Sequence, residues 1–242
     1  MVPTIDGTMH HFDNVGLYDG LFVLQDRESR TIWNHMNGQA LYGPGVGTDL
    51  GPLGNMFQTK VSQVLTLDDT TEIAISNRPY FAGGRRFGPD DVPASGARML
   101  ESYDPSRAGV ALPGMFTETL GEEDTRVERM AMGLGLITDD TVRFYPMDEI
   151  ESAGAIVDEV GGRSVVLFID RISFTPVAFY FDTATARLDG RDVRFDRGRG
   201  ARRGLIHEAD GTLVDAERPQ QLFSRWYGFA LSFPGTEVYG QR

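Results

Sequence analysis

Short apolar runs, each closed within a few residues by glycine, proline or an Asp-Gly pair, constrain this chain more than any other feature. Leu21-Phe22-Val23-Leu24, Glu72-Ile73-Ala74-Ile75, Ser164–Ile169 and Val177–Phe181 are rich in β-branched and aromatic residues and too short for independent helices. Each is expected to be a strand. Asp6-Gly7, Asp19-Gly20, Asp189-Gly190 and Asp210-Gly211 supply the positive φ that tight turns between strands need. Helical spacing is confined to Met56–Leu67 (Phe57, Val61, Val64, Leu65) and Gln221–Leu231 (Leu222, Trp226, Phe229, Ala230), each expected as a short amphipathic helix. The pattern predicts a mainly β fold with a few short helices.

The chain also echoes itself. Asp6-Gly7 followed by Phe12-Asp13 returns as Asp189-Gly190 followed by Phe195-Asp196. Leu41, Gly47-Thr48 and Thr71-Glu72-Ile73 return in order as Leu205, Gly211-Thr212 and Thr236-Glu237-Val238. Collinear matches of this kind suggest an internal duplication, two related β-rich halves packed as a barrel or a sandwich with a site between them. The second copy lacks a stretch that in the first carries Asp26-Arg27-Glu28 and Trp33-Asn34-His35. Between the halves, residues 77–126 hold five prolines and seven glycines. The expected organisation is a first repeat over 1–78, a Gly/Pro-rich linker or lid over 79–126 and a second repeat over 127–242.

Composition excludes several classes of function. Cysteine is absent, which removes disulfides, thiolate metal sites and cysteine nucleophiles. A net charge of −12 disfavours non-specific binding to nucleic acid or anionic membranes, so neither is expected as a partner. Lys60 is the one lysine among 23 basic residues, so a Schiff base would rest there or nowhere. No apolar run approaches the roughly 20 residues of a membrane helix, and Met1–Asp6 has neither the basic nor the apolar stretch of a signal peptide. A cytoplasmic location is expected.

Several motifs together are similar to the family called Domain of Unknown Function 3179. They are Gly16-Leu17, Val23, Asp26-Arg27-Glu28-Ser29, Ile32-Trp33, His35, Gly38, Ala40, Gly43-Pro44, Gly47 and Leu50, followed by Arg78-Pro79-Tyr80. Phe144-Tyr145-Pro146, Ile156-Val157-Asp158-Glu159-Val160-Gly161-Gly162, Trp226-Tyr227-Gly228-Phe229 and Pro234-Gly235-Thr236-Glu237-Val238-Tyr239 continue the resemblance. It covers most of the chain and implies a shared fold; it brings no established reaction.

The densest polar cluster is Asp26-Arg27-Glu28 with Trp33-Asn34-His35. A turn that brings Asp26 beside His35 would make a carboxylate-oriented imidazole, a general base poised near neutral pH. The same residues also suit a plain hairpin turn, with Asp26 as its cap and Trp33 plugging the core. His10-His11, His35 and His207 are the four histidines; a three-ligand metal site is arithmetically possible, but no H-x-H or H-x-x-x-H spacing supports one and no metal ligand is assigned. His207 reads most simply as part of a polar turn. Arg225 either clamps a substrate carboxylate or phosphate or pairs with an acid. Gly43–Thr48 lacks the Gly-Lys-Ser/Thr ending of a phosphate loop, and Gly133-Leu134-Gly135 lacks the third glycine of a dinucleotide site.

Two functions stand side by side. The first is a small-molecule enzyme of isomerase, cyclase, lyase or hydrolase type, with no cofactor. In it His35 is the acid or base, Asp26 its orienter, and Trp33, Tyr42, His11 and Arg225 contact the substrate in a pocket between the halves. The alternative is a non-catalytic ligand-binding or scaffold module, which predicts His35 on a backbone carbonyl in a closed turn. A His-ligated metal enzyme is a third possibility.

Overall fold

The structure, a computed structural model, describes residues 4–5, 7–51, 54–55, 61, 65, 70–72, 80–82, 85–87, 114–171, 174–202 and 205–241. A two-stranded ribbon, β1 (Thr4–Ile5) and β2 (Thr8–Met9), leads into an antiparallel meander of β3 (Phe12–Tyr18), β4 (Leu21–Asp26), β5 (Ile32–Asn34) and β6 (Ala40–Tyr42). The β3–β4 turn is Asp19-Gly20, both with positive φ (53° and 70°), which matches the right-handed twist of the strands it joins. A hairpin, β7 (Tyr80–Ala82) and β8 (Arg85–Phe87), and a one-turn helix α1 (Gly114–Thr117) follow.

The rest of the chain is layered. β9 (Met132–Ile137) and β10 (Val142–Pro146) precede helix α2 (Met147–Ala153). β11 (Ala155–Val160), β12 (Arg163–Ile169) and β13 (Pro176–Tyr180) make a three-stranded antiparallel sheet. A five-stranded meander comprises β14 (Ala186–Asp189), β15 (Asp192–Phe195), β16 (Gly200–Arg202), β17 (Leu205–His207) and β18 (Leu213–Val214). The chain ends with β19 (Gln220–Arg225), α3 (Trp226–Ser232) and β20 (Glu237–Val238). β19, β9, β10 and β20 form a four-stranded sheet in that order, β20 running parallel to β10.

β12 explains the layering. Its side chains alternate between two dry faces, as a strand's period of two requires. Val165, Leu167 and Ile169 enter one core with Leu134, Leu136, Tyr145, Met147 and Ile150. Val166 and Phe168 enter a second with Phe179, Val193, Phe195, Ala201 and Ile206. Burying each such side chain is worth about 1.5–3 kcal/mol, so a strand apolar on both faces is held from both sides. On the far side of the β9–β10 pair, Phe144, Val238 and the α3 residues Trp226 and Phe229 make a third core. The order is therefore α3, the β19-β9-β10-β20 sheet, the β11-β12-β13 sheet and the β14–β18 meander. The fold is mainly β and sandwich-like, with no closed barrel among the described residues.

Gly133 and Gly135 are packing residues, not a nucleotide motif. A Cβ on Gly135 would lie 1.9 Å from Phe229 Cε2, and one on Gly133 2.4 Å from Phe144 Cζ. Only a bare backbone lets these rings lie on β9.

The first meander docks on α3. Asn34 Nδ2 donates to Ser232 Oγ (3.2 Å), and Asn37 Nδ2 to the Ser232 carbonyl (2.6 Å). The segment from α1 onward also packs on it: the Gly20 N–H donates to Thr119 Oγ1, the Gly121 N–H to Asp19 Oδ1, and Phe116 meets the Phe22 ring edge-on at 5.2 Å.

One expectation changes and another is not confirmed. The helix expected over Gln221–Leu231 begins only at Trp226; Gln220–Arg225 is strand β19, paired along its length with β9. Leu222 packs into the α3 core and Phe223 into the α2 core, a period of two that the helical spacing concealed. The duplication is not confirmed, because matched anchors hold different places: Phe12 opens a strand and Phe195 closes one. Of the helix expected over 56–67, Val61 and Leu65 alone are among the described residues, and both are helical; Ile73–Ile75 lies outside them.

Candidate functional site

Two polar clusters are built by the fold. The first is the turn that carries β4 into β5. β4 delivers Asp26 into the interior, where it is fully buried, and the backbone turns over residues 27–30 with Arg30 at φ 64°. The Ser29 N–H donates to Asp26 Oδ1, and Oδ2 accepts from Ser29 Oγ and from Trp33 Nε1, both at 2.7 Å. Burial opposes the carboxylate's charge. The Ser29 and Trp33 donors, with His10 nearby, outweigh it and hold the pKa at about 2. His10 Nδ1 stands 3.4 Å from Asp26 Oδ1. Alongside, Glu28 accepts from the His11 N–H (2.8 Å) and faces His11 Nδ1 at 2.7 Å. Arg27 turns outward and binds Asp13 with two hydrogen bonds of 2.7 Å.

The structure does not bring Asp26 and His35 together. His35 is exposed, and its Nδ1 lies 2.7 Å from the Phe22 carbonyl across the β4–β5 pair. The imidazole beside Asp26 is that of His10. Trp33 is 1 % exposed and packs edge-on against Phe12, so it is core and hydrogen-bond donor and not a pocket wall. Tyr42 is 53 % exposed and leans on Tyr18 at 5.7 Å. Arg225 donates through Nη1 to the Met130 carbonyl. His207 is buried on β17, with Nδ1 3.5 Å from the Glu208 carbonyl.

The second cluster was not foreseen. Arg143 on β10 donates through Nε and Nη2 to Glu237 of β20 (2.8 and 2.6 Å) and through Nη1 to Asp158 of β11 (2.8 Å). Tyr145 donates its hydroxyl to the same Asp158 oxygen (2.8 Å). Burial and the Asp158 carboxylate push the Tyr145 phenol far above its ordinary range. The two carboxylates hold Arg143 above its own ordinary value despite partial burial. Tyr239 stacks on Tyr145 at 5.1 Å. Arg126 is fixed by Asp124 and by the Thr236 carbonyl. Arg126, Arg143, Asp158, Glu237, Tyr239 and Gln241 line a cleft of about 660 Å³. This lies within the size range of small-molecule sites. No residue of the first meander lines it.

One signal pointed to this cleft. Tyr145, Asp158, Glu237 and Tyr239 belong to three separate motifs of the family resemblance, and the fold gathers all three. No local spacing could do so, because β10 meets β20 by a parallel pairing between strands far apart in the chain.

Fold and clusters define a layered, mainly β protein with a buried carboxylate turn at Asp26 and a charge-compensated cleft at Arg143. Residues 2–230 match the family described as protein of unknown function (DUF3179), and the chain belongs to that family. No curated protein and no solved structure matches it. Among the described residues, no helix is long and apolar enough to cross a membrane.

Proposed function

We propose that the protein is a non-catalytic binding module that takes a small polar molecule of no net charge in the Arg143 cleft. The observation that carries this reading is the cleft's lining: two arginines and two carboxylates, held by hydrogen bonds within the protein. Both arginines are already paired, Arg143 with Asp158 and Glu237 and Arg126 with Asp124, so an anionic ligand gains little there. A neutral or zwitterionic molecule meets fixed donors and acceptors at little cost in ordering side chains.

The competing reading, acid–base catalysis by His35 and Asp26, has lost its pairing. Asp26 accepts three hydrogen bonds from its own turn and Trp33, and His35 Nδ1 faces a backbone carbonyl. That arrangement supports the binding module, which anticipates a carbonyl-bound His35.

The test is a thermal-shift screen of small neutral and zwitterionic metabolites, followed by calorimetry on the hits. A hit is expected to lose at least tenfold in affinity in Tyr239→Ala or Glu237→Gln and to change less than twofold in His35→Ala. A compound consumed by the protein at a rate that collapses in His35→Ala would contradict the proposal.

A further inference from the structure

His10 and His11 are adjacent, yet their rings part. The His11 side chain is 56 % exposed and engages Glu28, while that of His10 is only 10 % exposed. His10 Nδ1 is buried and makes no hydrogen bond, although it faces Asp26 Oδ1 at 3.4 Å. Leaving a buried polar atom without a hydrogen bond costs its full desolvation, so this nitrogen calls for a partner. One donor atom each from His10, Asp26 and Glu28 lies within 4.8 Å of the other two. The Arg27 guanidinium makes its hydrogen bonds to Asp13 and none to Asp26 or Glu28 among those described.

From this geometry we infer a site for one divalent transition-metal ion, with His10, Asp26 and Glu28 as its protein ligands. A tetrahedral ion bound at about 2.0–2.2 Å sets neighbouring donors roughly 3.4 Å apart, the separation of His10 Nδ1 from Asp26 Oδ1. Glu28 stands on the exposed turn, with one carboxylate oxygen within 4.8 Å of the other two donor atoms. The supports of a metal site are already in place. Ser29 and Trp33 orient Asp26, and the His11 N–H and ring orient Glu28. Outer hydrogen bonds of this kind fix ligand direction and raise affinity. One imidazole with two carboxylates suits Zn²⁺ or Mn²⁺ better than Mg²⁺ or Ca²⁺, which favour all-oxygen shells. The site is separate from the Arg143 cleft and stands or falls independently of it.

The experiment is calorimetric titration of the chelator-treated protein with Zn²⁺, with Mg²⁺ in parallel. The expected result is one equivalent of Zn²⁺ bound at micromolar affinity or tighter, and Mg²⁺ at least tenfold weaker. His10→Ala and Glu28→Gln should each weaken Zn²⁺ by about 10–100-fold, while His35→Ala and His207→Ala leave it within twofold. Circular dichroism of each variant checks folding; should His10→Ala not fold, Glu28→Gln, on the exposed turn, decides alone. No saturable Zn²⁺ binding, binding that survives Glu28→Gln, or binding lost in His35→Ala or His207→Ala would overturn the inference.

Discussion

Asp26 shows how a single residue serves the fold. Its ordinary carboxyl would titrate near pH 4, and the turn holds it near 2. Because the folded-state pKa is lowered, the ionised form stabilises the fold at pH values above the unfolded pKa, and that contribution is lost as pH falls from about 5 toward 2. Its size is about 2 kcal/mol, from 1.4 kcal/mol per pKa unit. Asp26→Asn is therefore expected to lower unfolding free energy at pH 7 by about 2 kcal/mol. It should also flatten the acid limb of the stability curve; urea denaturation at stepped pH measures both. His35→Ala removes one exposed hydrogen bond and is expected to cost no more than about 1 kcal/mol in the same assay. At this scale the sequence was half legible. The cluster around Asp26 stood out, and its reading as a turn cap with Trp33 in the core matches the geometry. The partner did not, because whether His10 or His35 reaches Asp26 depends on where the segment before β3 folds back, which no spacing reveals.

Among elements, strands were read where one segment carried its own signal. Leu21–Leu24, Ser164–Ile169 and Val177–Phe181 all fall within or overlap β4, β12 and β13, and Asp19-Gly20 forms the turn it implied. β19 was hidden, since Leu222, Trp226 and Phe229 mimic one helical face while the backbone changes from strand to helix at Trp226. β9 owes its place to two glycines. Gly135→Ala would thrust a methyl into the Phe229 ring, a fixed core group rather than a yielding side-chain end. Overpacking of this kind costs about 1–3 kcal/mol or more. Loss of at least 3 kcal/mol by denaturant unfolding is expected, and Gly135→Ala combined with Phe229→Leu should recover part of it. Gly161, at φ 57° in the β11–β12 turn, is expected to cost about 1–2 kcal/mol as alanine, from left-handed strain.

For the whole molecule, the sequence declared a mainly β chain but not its order of layers. Layer order follows from pairings such as β10 with β20 and β9 with β19, between strands far apart in the chain. The first meander is joined to this stack in part through Asn34 and Asn37 on Ser232. Asn34→Ala with Asn37→Ala is expected to speed amide hydrogen exchange in β3–β6 while the amides of β11–β13 stay as protected as before. The cleft belongs to the same scale, since Arg126, Arg143, Asp158 and Glu237 reach it from four parts of the chain. Ligand binding there is open to NMR titration of isotope-labelled protein with a hit from the neutral-metabolite screen. Saturable shifts are expected at Arg143, Glu237, Tyr239 and Gln241, with His35 unmoved. Shifts centred on His35 and Asp26, with the cleft silent, would contradict it.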